Sequence, residues 1–327
     1  ILGNDAVCRL QFNHFQDVES EFLLKNCRWE ACCGVTRGTQ TKFRSLHITL
    51  TVPISVPAAS NVQPRAIGSA HVSVYGDAVG KTRLQDLRQS GSLKLVFPQT
   101  HRDDAEVILV NTAGGITGGD RFDLDIEVRS GAKLTLTTQA AERSYRAQTG
   151  EIGSVSSRLS VQDGGCLQWL PQELILYDRC ALRRRLEISL GPQARLLMVE
   201  PVVFGRAAMP EVLDDILFQD RIKIMQSGKP VYIDGIDLHG NAAQHLARPT
   251  IANGAGAMAS VVMIAPDAEA HLATLRALLP DTAGASMLSD GVLVLRHLAT
   301  DSFELRRTLV PALEHLSDNT LPTSWRL

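Results

Sequence analysis

The densest chemical signal is Asn111-Thr112-Ala113-Gly114-Gly115-Ile116-Thr117-Gly118-Gly119-Asp120-Arg121, which follows the apolar run Val107 to Val110 and sets four glycines within six residues. Glycine at that density permits positive φ and close backbone approach, the property that lets a loop cradle phosphate. A phosphate cradle also needs a helix N-terminus directly after it, and a Walker loop needs Gly-Lys followed by Ser or Thr. Here the loop runs instead into Leu124, Ile126 and Val128, alternating with Asp123, Asp125 and Glu127. It therefore reads as a tight β corner. Asp120 at its end is either a carboxylate held facing inward or an Asx-type turn residue bonded to nearby amides. Gly-x-Ser-x-Gly is absent, which removes the nucleophile elbow of a serine hydrolase.

Glu200 lies between the apolar runs Leu196 to Val199 and Val202 to Phe204. A carboxylate in such surroundings is costly unless it is paired or wet, so a binding partner, a salt bridge to Arg206 or another arginine, or a water-lined passage are the options. Asp234, in Tyr232-Ile233-Asp234-Gly235-Ile236, suggests a turn by its Asp-Gly pair. Glu142, Arg143, Tyr145 and Arg146 form a charged stretch that reads either as a binding rim or as a solvated loop between strands. Near the start, Cys8, His14, Cys27, Cys32 and Cys33 could ligate zinc, but no C-x-x-C pair occurs and adjacent cysteines suit a single tetrahedral ion poorly.

The elements that must position these groups are mainly strands. Period-two alternation runs through Ala70, Val72 and Val74, and through Leu124 to Val128 and, past Ser130-Gly131, to Leu134 and Leu136. It returns at Leu159 and Val161, then Asp163-Gly164-Gly165 and Leu167, and again at Leu186 to Leu190, then Gly191-Pro192, Leu196 and Met198. The glycine corners are spaced unevenly, 34 residues from Gly131 to Gly165 and 26 from there to Gly191, so no strict repeat is indicated. The pattern predicts a long antiparallel or helically wound β body. Two helices are predicted in a small mixed α/β C-terminal layer. One opens at Pro266-Asp267 with Leu272, Leu275, Leu278 and Leu279 on one stripe; the other starts at Asp301 with Glu304 in capping-box spacing and carries Leu305, Leu309, Leu313 and Leu316. Pro311 should kink the second helix, and Val292 and Val294 mark a strand between the two.

Composition excludes other classes. The 327 residues carry 33 Lys and Arg against 35 Asp and Glu, with 44% hydrophobic residues, which fits a folded chain without the basic surplus of a nucleic-acid binder. No apolar run is long enough to span a bilayer and no secretory signal pattern is present, so no membrane role and a cytoplasmic location are expected. All six methionines lie at or beyond Met198, and four of six cysteines lie within the first 33 residues. Residues 1–51 are accordingly expected to be an atypical extension, with translation beginning near Val52. Residues 52–65, bearing Pro53, Pro57 and Pro64, read as a flexible linker, and 66–327 as the β domain.

Four motifs, in order, resemble one known family. Asn-Thr-Ala-Gly-Gly-Ile-Thr-Gly-Gly-Asp at 111–120, Thr-Thr-Gln-Ala-Ala-Glu-Arg-Ser-Tyr-Arg at 137–146, Trp-Leu-Pro-Gln-Glu at 169–173, and Glu200 ahead of Phe204-Gly205-Arg206 are similar to the urease accessory protein UreD, also called UreH. The likeness runs from about residue 66 to the C-terminus, and residues 1–51 have no counterpart in it. What the resemblance implies is a helically wound β fold with two helices and a non-enzymatic scaffold and metallochaperone role. With UreF and the GTPase UreG, such a protein supports nickel insertion into the urease apoprotein. It also implies no tightly bound cofactor, and a transient nickel path through an internal tunnel whose acidic positions correspond here to Asp120, Glu200 and Asp234. Ni2+ suits carboxylate, imidazole and water, and isolated carboxylates release it more readily than a cage. The rival expectation is a metal-dependent hydrolase using scattered carboxylates and histidines, which would need three or four close ligands.

Overall fold

The computed structural model describes residues 63–99, 102–206, 209 and 211–326. The expected extension 1–51, residues 52–62 of the expected linker, and the Cys8, His14, Cys27, Cys32 and Cys33 metal reading lie outside the described residues. Seventeen strands follow: β1 (Ile67–Gly76), β2 (Thr82–Gly91), β3 (Leu93–Val96), β4 (Ala105–Asn111), β5 (Arg121–Val128), β6 (Lys133–Thr138), β7 (Glu142–Ser144), β8 (Gly153–Val161), β9 (Cys166–Leu170), β10 (Leu174–Leu176), β11 (Ala181–Leu190), β12 (Arg195–Phe204), β13 (Ile216–Gln226), β14 (Lys229–Gly240), β15 (Ala257–Ile264), β16 (Ala283–Ser289) and β17 (Val292–Ala299). Helices α1 (Ala242–Leu246), α2 (Leu272–Leu278) and α3 (Ser302–Leu316) fall among and after the last of these.

The strands wind between two sheets. One has the order β14-β13-β11-β8-β5-β1-β2 and the other β16-β17-β15-β12-β9-β6-β4-β3. In the body, β1, β5, β8, β11 and β13 are parallel neighbours, as are β4, β6, β9 and β12. The winding reading therefore holds for the body, and antiparallel pairs finish the ends. β5 and β6, adjacent across Ser130-Gly131, do not pair with each other; the corner carries the chain from one sheet to the other. Successive corners stack, with Cys166 N–H donating to Ala132 C=O and Arg195 N–H to Gly165 C=O, both at 2.9 Å. Gly131 and Gly164 hold φ of 71° and 70° there, a region that glycine enters without a Cβ clash. The uneven corner spacing arises in part on a narrow third face, where β7 pairs with β10 and β10 with β12, all parallel, and the loop after β7 (residues 145–152) is longer than the loop after β10 (residues 177–180).

Alternation sorts side chains into two cores. Leu124, Ile126, Leu134, Leu136, Leu167, Leu186, Leu196 and Met198 meet between the sheets. Leu197, Val199, Val261 and Leu295 point out of the second sheet and pack beneath the helices with Leu275, Leu305, Leu309 and Leu313. The predicted stripe of α3 is buried at all four leucines, and Asp301 accepts from Glu304 N–H at 2.9 Å, a cap worth about 1 kcal/mol. α3 runs on through Pro311. The stripe of α2 is shorter than expected. Leu275 is buried but Leu278 is 44% exposed, because only seven residues are α-helical after a 3-10 turn at Ala268–His271. α1, which the sequence reading did not anticipate, is a single capped turn in which Asn241 accepts from Gln244 N–H at 2.7 Å.

Candidate functional site

Period two places charge as well as apolar groups. On β11, Leu182 and Leu186 face the inter-sheet core, so Arg184 between them must also face it; on β13, Phe218 and Ile222 do the same for Asp220. β11 and β13 run in register with Arg184 opposite Asp220. From the facing sheet, β12 sends Met198, Glu200 and Val202 inward, and β9 sends Trp169. These four side chains meet. Arg184 Nε and Nη2 donate to Asp220 Oδ1 and Oδ2 at 3.0 and 2.6 Å, and Arg184 Nη1 lies 2.6 Å from Glu200 Oε2. Trp169 Nε1–H donates to Glu200 Oε1 at 2.6 Å.

One guanidinium thus serves two carboxylates, with Glu200 only 5% exposed. Burial pushes the Glu200 carboxyl above its ordinary value; Arg184 opposes this and Asp220 adds to it. Burial works against the Arg184 charge, but Asp220 and then Glu200 outweigh it and hold the guanidinium protonated. Glu200 Oε2 is engaged by the Arg184 guanidinium as a close ion pair, and no other donor reaches it among the described residues.

Glu200, Arg184 and Trp169 line a cavity of about 280 Å³ between the sheets, walled largely by apolar side chains such as Phe122, Leu124 and Leu182. Glu142 reaches the same cavity from β7. Its carboxylate accepts from Asn111 Nδ2 and from Arg143 N–H, each at 3.0 Å, and burial raises its pKa. Asn111 also donates to Gly115 C=O at 2.9 Å, tying the glycine loop to the cavity wall. Of the charged stretch at 142–146, Glu142 is therefore largely enclosed, whereas Arg143 is exposed. Tyr145 bonds Gly114 C=O at 3.2 Å and packs edge-on against Tyr177.

The three acidic positions singled out from sequence are not brought together. Asp120 is buried at the turn before β5, where Oδ1 accepts from Ala66 N–H at 2.7 Å and Oδ2 from Thr117 N–H at 2.8 Å, the turn-forming arrangement. Asp234 lies within β14 rather than in a turn. It accepts from Tyr232 Oη at 2.8 Å and from Gly235 N–H at 2.9 Å, and pairs with Arg296 of β17. Burial, then Asp234, raises the Tyr232 hydroxyl pKa. Among the described residues no three His, Cys, Asp or Glu side chains converge as a metal-holding group. The Glu200 salt bridge is made by Arg184, while Arg206 pairs with Glu211 at 3.0 Å. Arg184 and Asp220 escaped the sequence reading, though each is a charge on the apolar parity of an alternating strand.

The fold is thus a two-sheet parallel β coil with a buried charge cluster between its sheets, joined to a helical layer. A family model described as UreD urease accessory protein matches residues 67–326. The urease accessory protein UreD of Roseobacter denitrificans is 51% identical over 265 residues, covering 81% of this chain and 96% of that protein. UreD of Ruegeria pomeroyi is 53% identical over 244 residues, covering 75% and 95% respectively. UreD of Rhizobium etli is 37% identical over 275 residues, covering 84% and 100%. The chain belongs to the UreD family of urease accessory proteins. Its described helices include none long and apolar enough to cross a membrane.

Proposed function

We propose that the chain works in urease maturation as a non-enzymatic scaffold and metallochaperone component, joining UreF and UreG in the cytoplasm to support nickel insertion into the urease apoprotein. Within this reading Glu200 is the acidic group of a nickel path, and the cavity it faces is part of that path. The observation that carries the assignment is the buried Glu200 carboxylate at a cavity wall. A carboxylate held by one ion pair and one indole N–H offers a passing divalent cation a hard oxygen without a closed cage, which favours release as well as capture. Asp120 and Asp234, whose oxygens are engaged by backbone amides, a tyrosine and an arginine, would be further acidic positions along the path.

The test is Glu200→Gln with urease nickel content as the readout. The variant leaves the bidentate Arg184–Asp220 pair intact, so folding and co-purification with UreF and urease should persist while nickel in co-expressed urease falls several-fold. Normal nickel content in a variant that still assembles would remove Glu200 from the path. Failure of the wild-type chain to co-purify with either partner would remove the scaffold reading.

A further inference from the structure

Two imidazole nitrogens meet away from the inter-sheet cavity. His271 closes the 3-10 turn ahead of α2, and His315 stands in the last turn of α3. The two helices pack together and bring His271 Nδ1 to 3.2 Å from His315 Nε2, with ring centroids 5.0 Å apart and planes at 72°. Both residues are partly exposed.

We propose that His271 and His315 form an open divalent transition-metal site, supplying two imidazole ligands to an ion of the Ni2+, Cu2+ or Zn2+ class. Two nitrogens each about 2.0–2.1 Å from one ion, at angles between octahedral and tetrahedral, stand roughly 2.9–3.4 Å apart. The observed 3.2 Å separation falls in that range before any ion arrives. Without metal, one ring donates its N–H to the other. Binding moves that proton to the far nitrogen of the ring that holds it, so both rings stay neutral and both facing lone pairs turn to the ion. Imidazole suits these metals.

The neighbouring carboxylates do not complete a cage. Asp267 is bound by Arg195 at 2.7 and 3.0 Å, and Glu314 lies 3.5 Å from Arg326. The remaining coordination positions are left to water or to a donor from a bound partner, an arrangement suited to an ion in transit. The pair differs in this respect from His71, which faces Asp125 with Nδ1 and Asp86 with Nε2, on opposite edges of the ring where no single ion can be shared.

The test titrates Ni2+ alone into the full chain at neutral pH by calorimetry, for the wild type, His271→Gln, His315→Gln and the double variant. One equivalent of Ni2+ should be weakened at least tenfold in each single variant and lost in the double. Electron paramagnetic resonance with Cu2+ should show two imidazole nitrogens in the wild type and one in either single variant. His315→Phe keeps an edge-on aromatic contact, so loss of Ni2+ there with unchanged melting assigns the effect to the nitrogen. Identical titrations for the wild type and the double variant, or no uptake by the wild type, overturn the site. Ni2+ is the probe because of the cargo proposed above, but the site stands on geometry. Its test reads metal held by this chain, whereas the Glu200 test reads metal in urease, so either can fail alone.

Discussion

Removing Arg184 should cost the fold more than removing either of its partners. Arg184→Met takes away two hydrogen bonds to Asp220 and the ion pair to Glu200, and leaves those carboxylates facing each other with side chains 4% and 5% exposed. Breaking a buried ion pair by deleting one partner typically costs roughly 3–5 kcal/mol, and here one cation neutralises two anions, which favours the upper end. At this chain length that corresponds to a fall in Tm of roughly 4–9 °C. The cost should shrink in acid, because protonating Glu200, whose pKa burial already raises, relieves the stranded pair. Arg184→Met/Glu200→Gln/Asp220→Asn should recover more than half of the loss, since no unpaired charge remains. Urea unfolding followed by tryptophan fluorescence, with Trp169 in the cluster as a reporter, measures each step, and an unchanged m-value keeps the comparison valid. A single-variant cost below about 1 kcal/mol, or a triple variant less stable than the single, would refute the view that Arg184 serves as counter-ion to both carboxylates.

Two further predictions follow from residues outside that cluster. His297 is buried on β17 and burial lowers its pKa from 6.5, so the fold resists its protonation. That penalty is absent above the unfolded value, sets in as pH falls below it and is complete below the folded value; Tm of the wild type should therefore drop more steeply on acidification than that of His297→Leu, and equal slopes in thermal melts would rule the effect out. At Gly115 (φ 155°) a Cβ would stand 2.2 Å from the Tyr145 ring, whereas at Gly114 (φ 78°) it would meet nothing within 4 Å. Gly115→Ala should cost roughly 2–3 kcal/mol and Gly114→Ala roughly 1 kcal/mol. Urea unfolding should also show a Tyr145→Ala background recovering much of the first loss but not the second.

Most of the strand body was legible because burial of one face leaves a period that sequence displays directly. Leu124, Ile126 and Val128 alternate with carboxylates in the sequence, and all three are buried. What alternation cannot carry is the partner of each strand. A corner such as Ser130-Gly131 looks the same whether it closes a hairpin or passes the chain to a second sheet, and parallel stacking is set by corner geometry many residues away. The site was half legible for the same reason. Glu200 stood out because an acid among apolar residues is conspicuous, but Arg184 sits in Arg183-Arg184-Arg185, where its inward parity is masked by two outward arginines. Asp234 was misread locally: Asp-Gly is a turn signal, yet Gly235 continues β14, where an added Cβ would press within 3.0 Å of Arg221 and of the Asp220 carbonyl oxygen. Close strand approach, not a turn, explains that glycine.

The motifs that carry the family likeness acquire a shared physical role. Asn111 of the glycine loop donates to Glu142 of the second motif. Trp169, which opens the third motif, donates to Glu200 of the fourth. Glu173, which closes the third, pairs with Arg306 of α3 at 2.9 and 3.1 Å, and Arg306 also donates to Trp325 C=O at 2.8 Å. Each contact joins elements far apart in sequence, and each supplies a buried or partly buried polar group with a partner. Apolar strands alone could slide along the coil by two residues and still bury the same face. A buried donor and acceptor fixed on different turns forbid that slip, because a shifted register would strand both. The polar residues inside this coil therefore set its register.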